Sequence, residues 1–213
     1  MDNKEKIVEQ VADLVIDMIG ELESNPYEIP VGISARHIHL TKEAVYTLFG
    51  RGHSLTFFKK LSQPGQFAAA EQVQVIGPGG SISKVRILGP ERSACQVEIA
   101  NSDGRTLGLT APVRSSGDTM GTPGLRLVGP AGELTLKSGV IIAERHVHMS
   151  PADAKWFAVK NGQKVRIAVS GPKAGIMEKV TIRVDESYRL DFHIDTDDAN
   201  AFLLQQGNKV SLI

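Results

Sequence analysis

The chain has 213 residues, enough for one large β domain or two small ones. Its 24 Lys and Arg balance 24 Asp and Glu, so no global field favours nucleic acid or a membrane surface as a partner. The single cysteine, Cys95, excludes an internal disulfide framework and a Cys-rich zinc finger, and no run approaches the length of a transmembrane span. The N-terminus carries mixed charges and no signal-peptide cleavage pattern, which predicts a cytoplasmic protein. Residues 4–22 are predicted helical, because Ile7, Val8, Val11, Leu14, Val15, Met18, Ile19 and Leu22 recur at helical spacing. Gly20 and Asn25-Pro26 end that helix and open a short linker. Two roles fit it: a helix packed on its own domain, or a detachable tag that docks in a groove of a partner. Both charge signs on its polar face make membrane binding the weakest option.

From Ile29 onward, short runs of Val, Ile and Leu alternate with polar residues between Gly-rich turns. Strands are predicted over 72–76, 83–88, 96–99, 126–128, 133–136, 140–143, 164–169, 179–184, 190–194 and 209–212. Gly77-Pro78-Gly79-Gly80 and Gly129-Pro130-Ala131-Gly132 occupy similar strand-turn-strand contexts, so the first reads as a hairpin turn and not a phosphate loop. Helices are predicted over 41–49 and 150–159, each opened by a Thr or Ser cap, and a last helix runs to about residue 204. Thr196 or Asp197 is the natural cap of that last helix, with Asp195 left open as a ligand.

Five of the six histidines fall in three β-compatible stretches: Arg36-His37-Ile38-His39, Arg145-His146-Val147-His148 and Phe192-His193-Ile194. In a strand, residues i and i+2 share a face, so each His-x-His presents two imidazoles side by side. A lone strand histidine is ordinarily a half-buried residue with a satisfied ring, but a repeated Arg-His-x-His is hard to explain that way. Two pairs and a third apolar-flanked His supply ligands for more than one zinc-class ion. Without further cysteines the set must be completed by a carboxylate, and spacing leaves Glu71, Glu98, Glu133 and Glu144 open. A predicted helix follows each pair directly, so the repeated unit is strand, histidine pair, capped helix. Two related β-barrels with ligands at the strand-to-helix junctions are expected. Cys95, in a strand-like run with no base beside it, reads as a small buried residue, and His53 in a Gly-rich loop as a surface one.

Val31-Gly32-Ile33-Ser34-Ala35-Arg36-His37-Ile38-His39-Leu40, Leu61-Ser62-Gln63-Pro64-Gly65-Gln66-Phe67, Gln96-Val97-Glu98-Ile99, residues 145–154 and the His193–Asn200 segment resemble the signatures of the PduL-type phosphotransacylases. The similarity covers essentially everything after Pro30. It implies a mainly β fold, with two similar closed β-barrels capped by short helices plus the N-terminal amphipathic helix. The expected division is 1–26 for helix and linker, 27–37 with 144–213 for one barrel, and 38–143 for the other. The implied reaction converts a short acyl-CoA, propanoyl or acetyl, plus phosphate reversibly to acyl phosphate plus CoA, by direct attack of metal-bound phosphate on the thioester. Two zinc ions per chain are implied, one on His37, His39 and Glu98, the other on His146, His148 and His193. An arginine at the position of Arg92 would face the metals and grip phosphate, with Ser116 adding a hydrogen bond. Ser34, Lys59, Arg86, Leu88, His193 and Asn200 would bind CoA. A homodimer or larger homo-oligomer is implied, and an N-terminal helix of this kind often carries such enzymes into a bacterial microcompartment shell. The same ligands also suit a dinuclear metallohydrolase of thioesters, and a metal-stabilised β-barrel binding module is the non-enzymatic alternative.

Overall fold

The computed structural model describes residues 28–213, so the helix expected over 4–22 and its linker lie outside the described residues. Strands β1 (Glu28–Ser34), β14 (Asp191–Asp195), β11 (His146–Met149), β13 (Gly175–Val184), β12 (Lys164–Val169) and β15 (Lys209–Leu212) close into a six-stranded barrel in that order. Their inward positions, among them Ile29, Val31, Val147, Ile167, Ile182, Phe192 and Val210, form one apolar core. A second core belongs to a nine-stranded sheet. Its order is β7 (Val113–Arg114), β10 (Val140–Ala143), β6 (Gln96–Glu98), β2 (His37–His39), β5 (Ser81–Gly89), β4 (Phe67–Ile76), β8 (Leu125–Val128) and β9 (Glu133–Leu136), with β3 (Phe57–Lys60) added on β4. The mainly β expectation holds, with one barrel closed and the other a curled sheet whose ends do not pair. Two-residue β7, exposed throughout, is too short to carry a ladder across to β9, where α1 (Lys42–Phe49) packs instead.

The two halves exchange strands. β1 runs parallel to β14 in the barrel and then leads into β2 of the sheet. β10 runs parallel to β6 in the sheet and then leads into β11 of the barrel. The chain thus crosses the seam at Ala35-Arg36 and again at Glu144-Arg145, immediately before each histidine pair. Both pairs are thereby placed on the seam, facing the same cleft.

Capped helices follow as the sequence requires. Thr41 caps α1 by accepting from the Ala44 backbone N–H, and Ser150 caps α3 (Pro151–Trp156) in a reciprocal bond with Asp153. The two Gly-Pro turns close on helix ends. Gly79 donates its N–H to Leu107 O at the end of α2 (Asn101–Leu107), and Ala131 donates to Leu48 O near the end of α1. A Cβ on Gly77 or Gly129 would stand 2.3 Å from those same carbonyl oxygens, which is why glycine occupies both. Helix α4 (Thr196–Phe202) corrects the expected cap: Asp195, extended at the end of β14, accepts from Asp198 N–H, so Thr196 is already inside the helix. Strands β1, β3 and β7 and helix α2 had no distinct pattern in the sequence. Helix α2 is polar, contains Gly104, and is held by the turn at its C-terminus and not by an apolar stripe.

Candidate metal centre and substrate cleft

Antiparallel pairing brings a third candidate ligand to each histidine pair. In the sheet, His37 lies directly opposite Glu98, and in the barrel, His146 lies directly opposite His193. Opposite residues on antiparallel strands share a face, so a carboxylate and an imidazole arrive beside the histidine pairs without any loop. The two triads, His37–His39–Glu98 and His146–His148–His193, each bring one ligand atom per residue within 4.8 Å of the others. Two ligands on one zinc, each at about 2 Å, stand roughly 3–4 Å apart, so little adjustment separates these side chains from coordination. The other candidate acids are engaged elsewhere: Glu71 by Thr56 and His53, Glu133 by Arg126, and Glu144 by Lys164.

The hydrogen bonds fix which nitrogen is free. Nδ1 of His37 and Nδ1 of His146 each lie 2.8 Å from the carbonyl two residues back, Ala35 O and Glu144 O. A carbonyl only accepts, so both Nδ1 atoms carry a proton, and in the neutral ring Nε2 is the nitrogen with the lone pair. Nε2 of His37 faces Glu98 Oε2 at 3.5 Å, so a neutral ring sets two electron-rich atoms against each other with no hydrogen between them. Such a contact is relieved by a cation. Nδ1 of His39 and Nδ1 of His148 are buried with no hydrogen-bond partner, a second sign of ligand positions. His193 donates from Nε2 to Asp191 Oδ2 at 2.9 Å, and its Nδ1 accepts a long bond from the Ser34 hydroxyl at 3.5 Å. This donor set of imidazoles and one carboxylate fits zinc.

Burial sets the charge states. It holds the His39 imidazole down to about 3, helped by His37 and Arg92. It holds His146 to about 4 beside His193, and His148 to about 2 beside His146 and His193. Burial opposes ionisation of Glu98, but His37, His39 and the Ser116 hydroxyl bring it down to about 2. At neutral pH these three imidazoles are therefore neutral and Glu98 is an anion, the forms a metal needs.

Both triads line one cleft of about 690 Å³, together with Ser34, Lys59, Arg86, Leu88, Arg92 and Ser116. Ser116 is a hub. Its hydroxyl donates to Glu98 Oε1 at 2.9 Å and accepts from Arg92 Nη1 at 3.3 Å and from Gln96 Nε2 at 2.8 Å. Arg86 turns its Nη1 to Ala69 O and stacks its guanidinium 4.5 Å from the Phe58 ring centroid. Lys59 stands exposed at the rim, whereas Asn200, exposed on α4, is not part of the lining. Cys95 lies outside the lining too, where its Sγ accepts from Thr41 N–H at 3.4 Å. His53, expected at the surface, donates to buried Glu71 at 2.8 Å and stacks on Phe49.

Several residues had not been singled out. Gln96 and Asp191 each stand two positions before the third ligand, on the same strand face, and each hydrogen-bonds that ligand. Asp103 and Asp198 each stand five positions after it, at the third residue of α2 and α4, and pair with the Arg of their own Arg-His-x-His. Arg36 reaches Asp103 at 2.7 Å, and Arg145 grips Asp198 through two bonds of 2.6 and 2.8 Å. The common spacing was available in the sequence as a longer repeat around Glu98 and His193. Tyr188 packs its ring 4.3 Å from that of His148, and Arg183 lines the cleft; nothing in their flanking residues marks them.

The phosphate propanoyltransferase family profile matches residues 30–205. A phosphate propanoyltransferase of Rhodobacter capsulatus is 49% identical over 195 residues, covering 92% of this chain and 91% of the relative. One from Thermotoga maritima is 50% identical over 186 residues, covering 87% and 89%. A third, from Alkaliphilus metalliredigens, is 44% identical over 210 residues, covering 99% of each. The matched span contains both triads, Arg92 and Ser116, and the chain belongs to the phosphate propanoyltransferase family.

Proposed function

We propose that this phosphate acyltransferase interconverts propanoyl-CoA or acetyl-CoA plus phosphate with the acyl phosphate plus CoA, using one zinc ion in each triad and direct attack of phosphate on the thioester. The observation that carries the reading is the pair of triads on one seam, opening into one cleft beside the Arg92–Ser116 bond. Zinc, when bound, supplies positive charge and Lewis acidity for the phosphate oxygens and for the departing CoA sulfur. His37, His39 and Glu98 would hold one ion, and His146, His148 and His193 the other.

The chain's own residues hold and orient. Arg92, anchored through Ser116, presents its guanidinium edge to phosphate oxygens and offsets their charge as the attack proceeds. A phosphate oxygen bonds the carbonyl carbon, the C–S bond breaks, and its electron pair leaves with sulfur. This route needs no acyl-enzyme, consistent with Cys95 lying outside the cleft lining. Ser34, Lys59, Arg86 and Leu88 form the CoA arm of the cleft in this proposal, with His193 beside Ser34; Asn200 is assigned to CoA on the family resemblance. Assembly as a homodimer, and docking of residues 1–26 on a microcompartment shell in the cytoplasm, belong to the same proposal.

Thiol release from propanoyl-CoA, followed with and without phosphate, tests the reading. Release that requires phosphate and yields propanoyl phosphate is expected. Phosphate-independent release would identify a thioester hydrolase, and no release by metal-loaded protein would identify a binding module.

A further inference from the structure

Gln63 lies in the short loop between β3 and β4 of the sheet half, and it is only 2% exposed. Its amide pairs reciprocally with the main chain of the barrel half. Nε2 donates to Arg189 O at 3.0 Å, and Oε1 accepts from Arg189 N–H at 3.2 Å. A primary amide used this way stands in for the peptide group of a β-bridge, joining residues 126 positions apart. The loop that offers it is braced by its own bonds, Gln66 N–H to Gln63 O and Leu61 N–H to Gln66 O.

Arg189 stands between two residues that each touch a histidine of the barrel triad. Tyr188 packs its ring 4.3 Å from that of His148, and Asp191 accepts from His193. Tyr188 also faces the sheet half: burial pulls Arg92 below its ordinary value, and the phenol oxygen acts against that shift. The loops that carry Arg92 and Tyr188 are equivalent. Each follows the strand parallel to a histidine pair, and each is tied at its start to the residue after the second histidine, Arg92 N–H to Leu40 O and Asp185 N–H to Met149 O. They are anchored differently. Arg92 is held within its own half by Ser116, whereas the segment behind Tyr188 is held from the opposite half by Gln63. Gln63 and Tyr188 both line the cleft, so this amide ties its two sides together away from the chain crossings at 35–36 and 144–145.

A thioester beside a metal centre is open to attack by water as well as by phosphate, and water is far the more abundant. A wall whose buried polar groups are all paired offers water no bonding partner. We propose that Gln63 is a positioning residue that favours phosphate over water: by holding Arg189 it keeps the Tyr188 ring against His148 and seals that wall of the cleft while the thioester reacts. With the clamp broken, water enters beside the barrel triad. Its oxygen bonds the carbonyl carbon, and the C–S bond breaks with its electron pair leaving on sulfur. One water proton passes to sulfur and the other to solvent, giving propanoate and CoA. This inference rests on the acyl-transfer reading.

The test compares full-length, zinc-loaded wild-type, Gln63→Met and Tyr188→Leu proteins. Gln63→Met keeps the length of the side chain without its hydrogen bonds, and Tyr188→Leu keeps the clamp without the ring. Hydrogen exchange at the Arg189 amide, thiol and propanoyl phosphate yields with and without phosphate, and zinc content are measured on each. In Gln63→Met the Arg189 amide should exchange about tenfold faster or more. Its thiol release without phosphate should rise about fivefold or more, and propanoyl phosphate formed per thiol should fall, with zinc at the wild-type level. Tyr188→Leu should show the same gain in hydrolysis while Arg189 exchange stays as in wild type. Faster exchange in Gln63→Met without added hydrolysis would overturn the proposal, and so would loss of zinc from that variant. Should Gln63→Met fail to fold, Tyr188→Leu decides, and wild-type hydrolysis there overturns it. Wild-type protein without phosphate-dependent thiol release would sink the acyl-transfer reading instead, and Arg189 exchange would still decide whether Gln63 holds the loop.

Discussion

His148 sits under the Tyr188 ring and against His146 and His193, with its Nδ1 buried and unbonded. Truncating it removes a ligand from a triad that has no spare donor, so His148→Ala should lose zinc and activity together. Arg92 stands differently: it reaches the triads only through Ser116 and its charge. Arg92→Ala should therefore keep zinc while its kcat falls by about 10²–10³, the usual effect of removing one donor aimed at developing charge. Metal analysis beside steady-state rates separates these two outcomes, and zinc lost from Arg92→Ala would mean that it supports the centre structurally. Glu98 is the proposed ligand that histidine spacing alone could not choose among the acids. Register across β2 and β6 sets it opposite His37, and the repeat it shares with His193 stands out only once both strands are aligned.

At the scale of elements, the barrel is held by a core in which Phe192 is completely buried, on the same short strand that carries Asp191 and His193. Phe192→Ala should cost about 3–5 kcal/mol in a urea melt, since the strand is pinned on both sides and collapses poorly around a void. A loss below about 1 kcal/mol would mean that the neighbours repack freely. Alternation made most strands legible, and the Thr41 and Ser150 caps fixed the starts of α1 and α3. Helix α2 was not legible, because its order comes from the Gly77–Gly80 turn and the Arg36–Asp103 pair. Strand β3 was hidden for a related reason: all four of its residues are exposed, so it has no buried face to alternate against. The third-ligand strands were readable as strands, but their partners across the seam were not.

At the scale of the molecule, His39, His146, His148 and Glu98 all have folded values below their ordinary ones. The unfolded chain then binds more protons than the folded one whenever pH lies between the two values, so stability falls as pH falls. The zinc-free protein should hold its melting temperature above about pH 6.5, the ordinary histidine value, and lose it progressively down to about pH 4 as the unfolded state takes up protons. Thermal melts at stepped pH check the direction; a flat profile across that window would mean that the imidazoles are not neutral in the fold. Deleting residues 1–22 should leave phosphate-dependent thiol release within about twofold of the full chain and abolish co-purification with shells. Shell entry by the shortened chain would remove the tag role. The exchanged strands carry a further consequence, one of symmetry. A homodimer of a single half would be obliged to repeat every residue, giving identical triads. One chain carrying both halves escapes that rule, so Glu98 can answer to His193, Gln96 to Asp191, and Leu88 to Arg183 at equivalent places. Covalent continuity is what allows the two sides of the cleft to be chemically unlike while their backbones repeat.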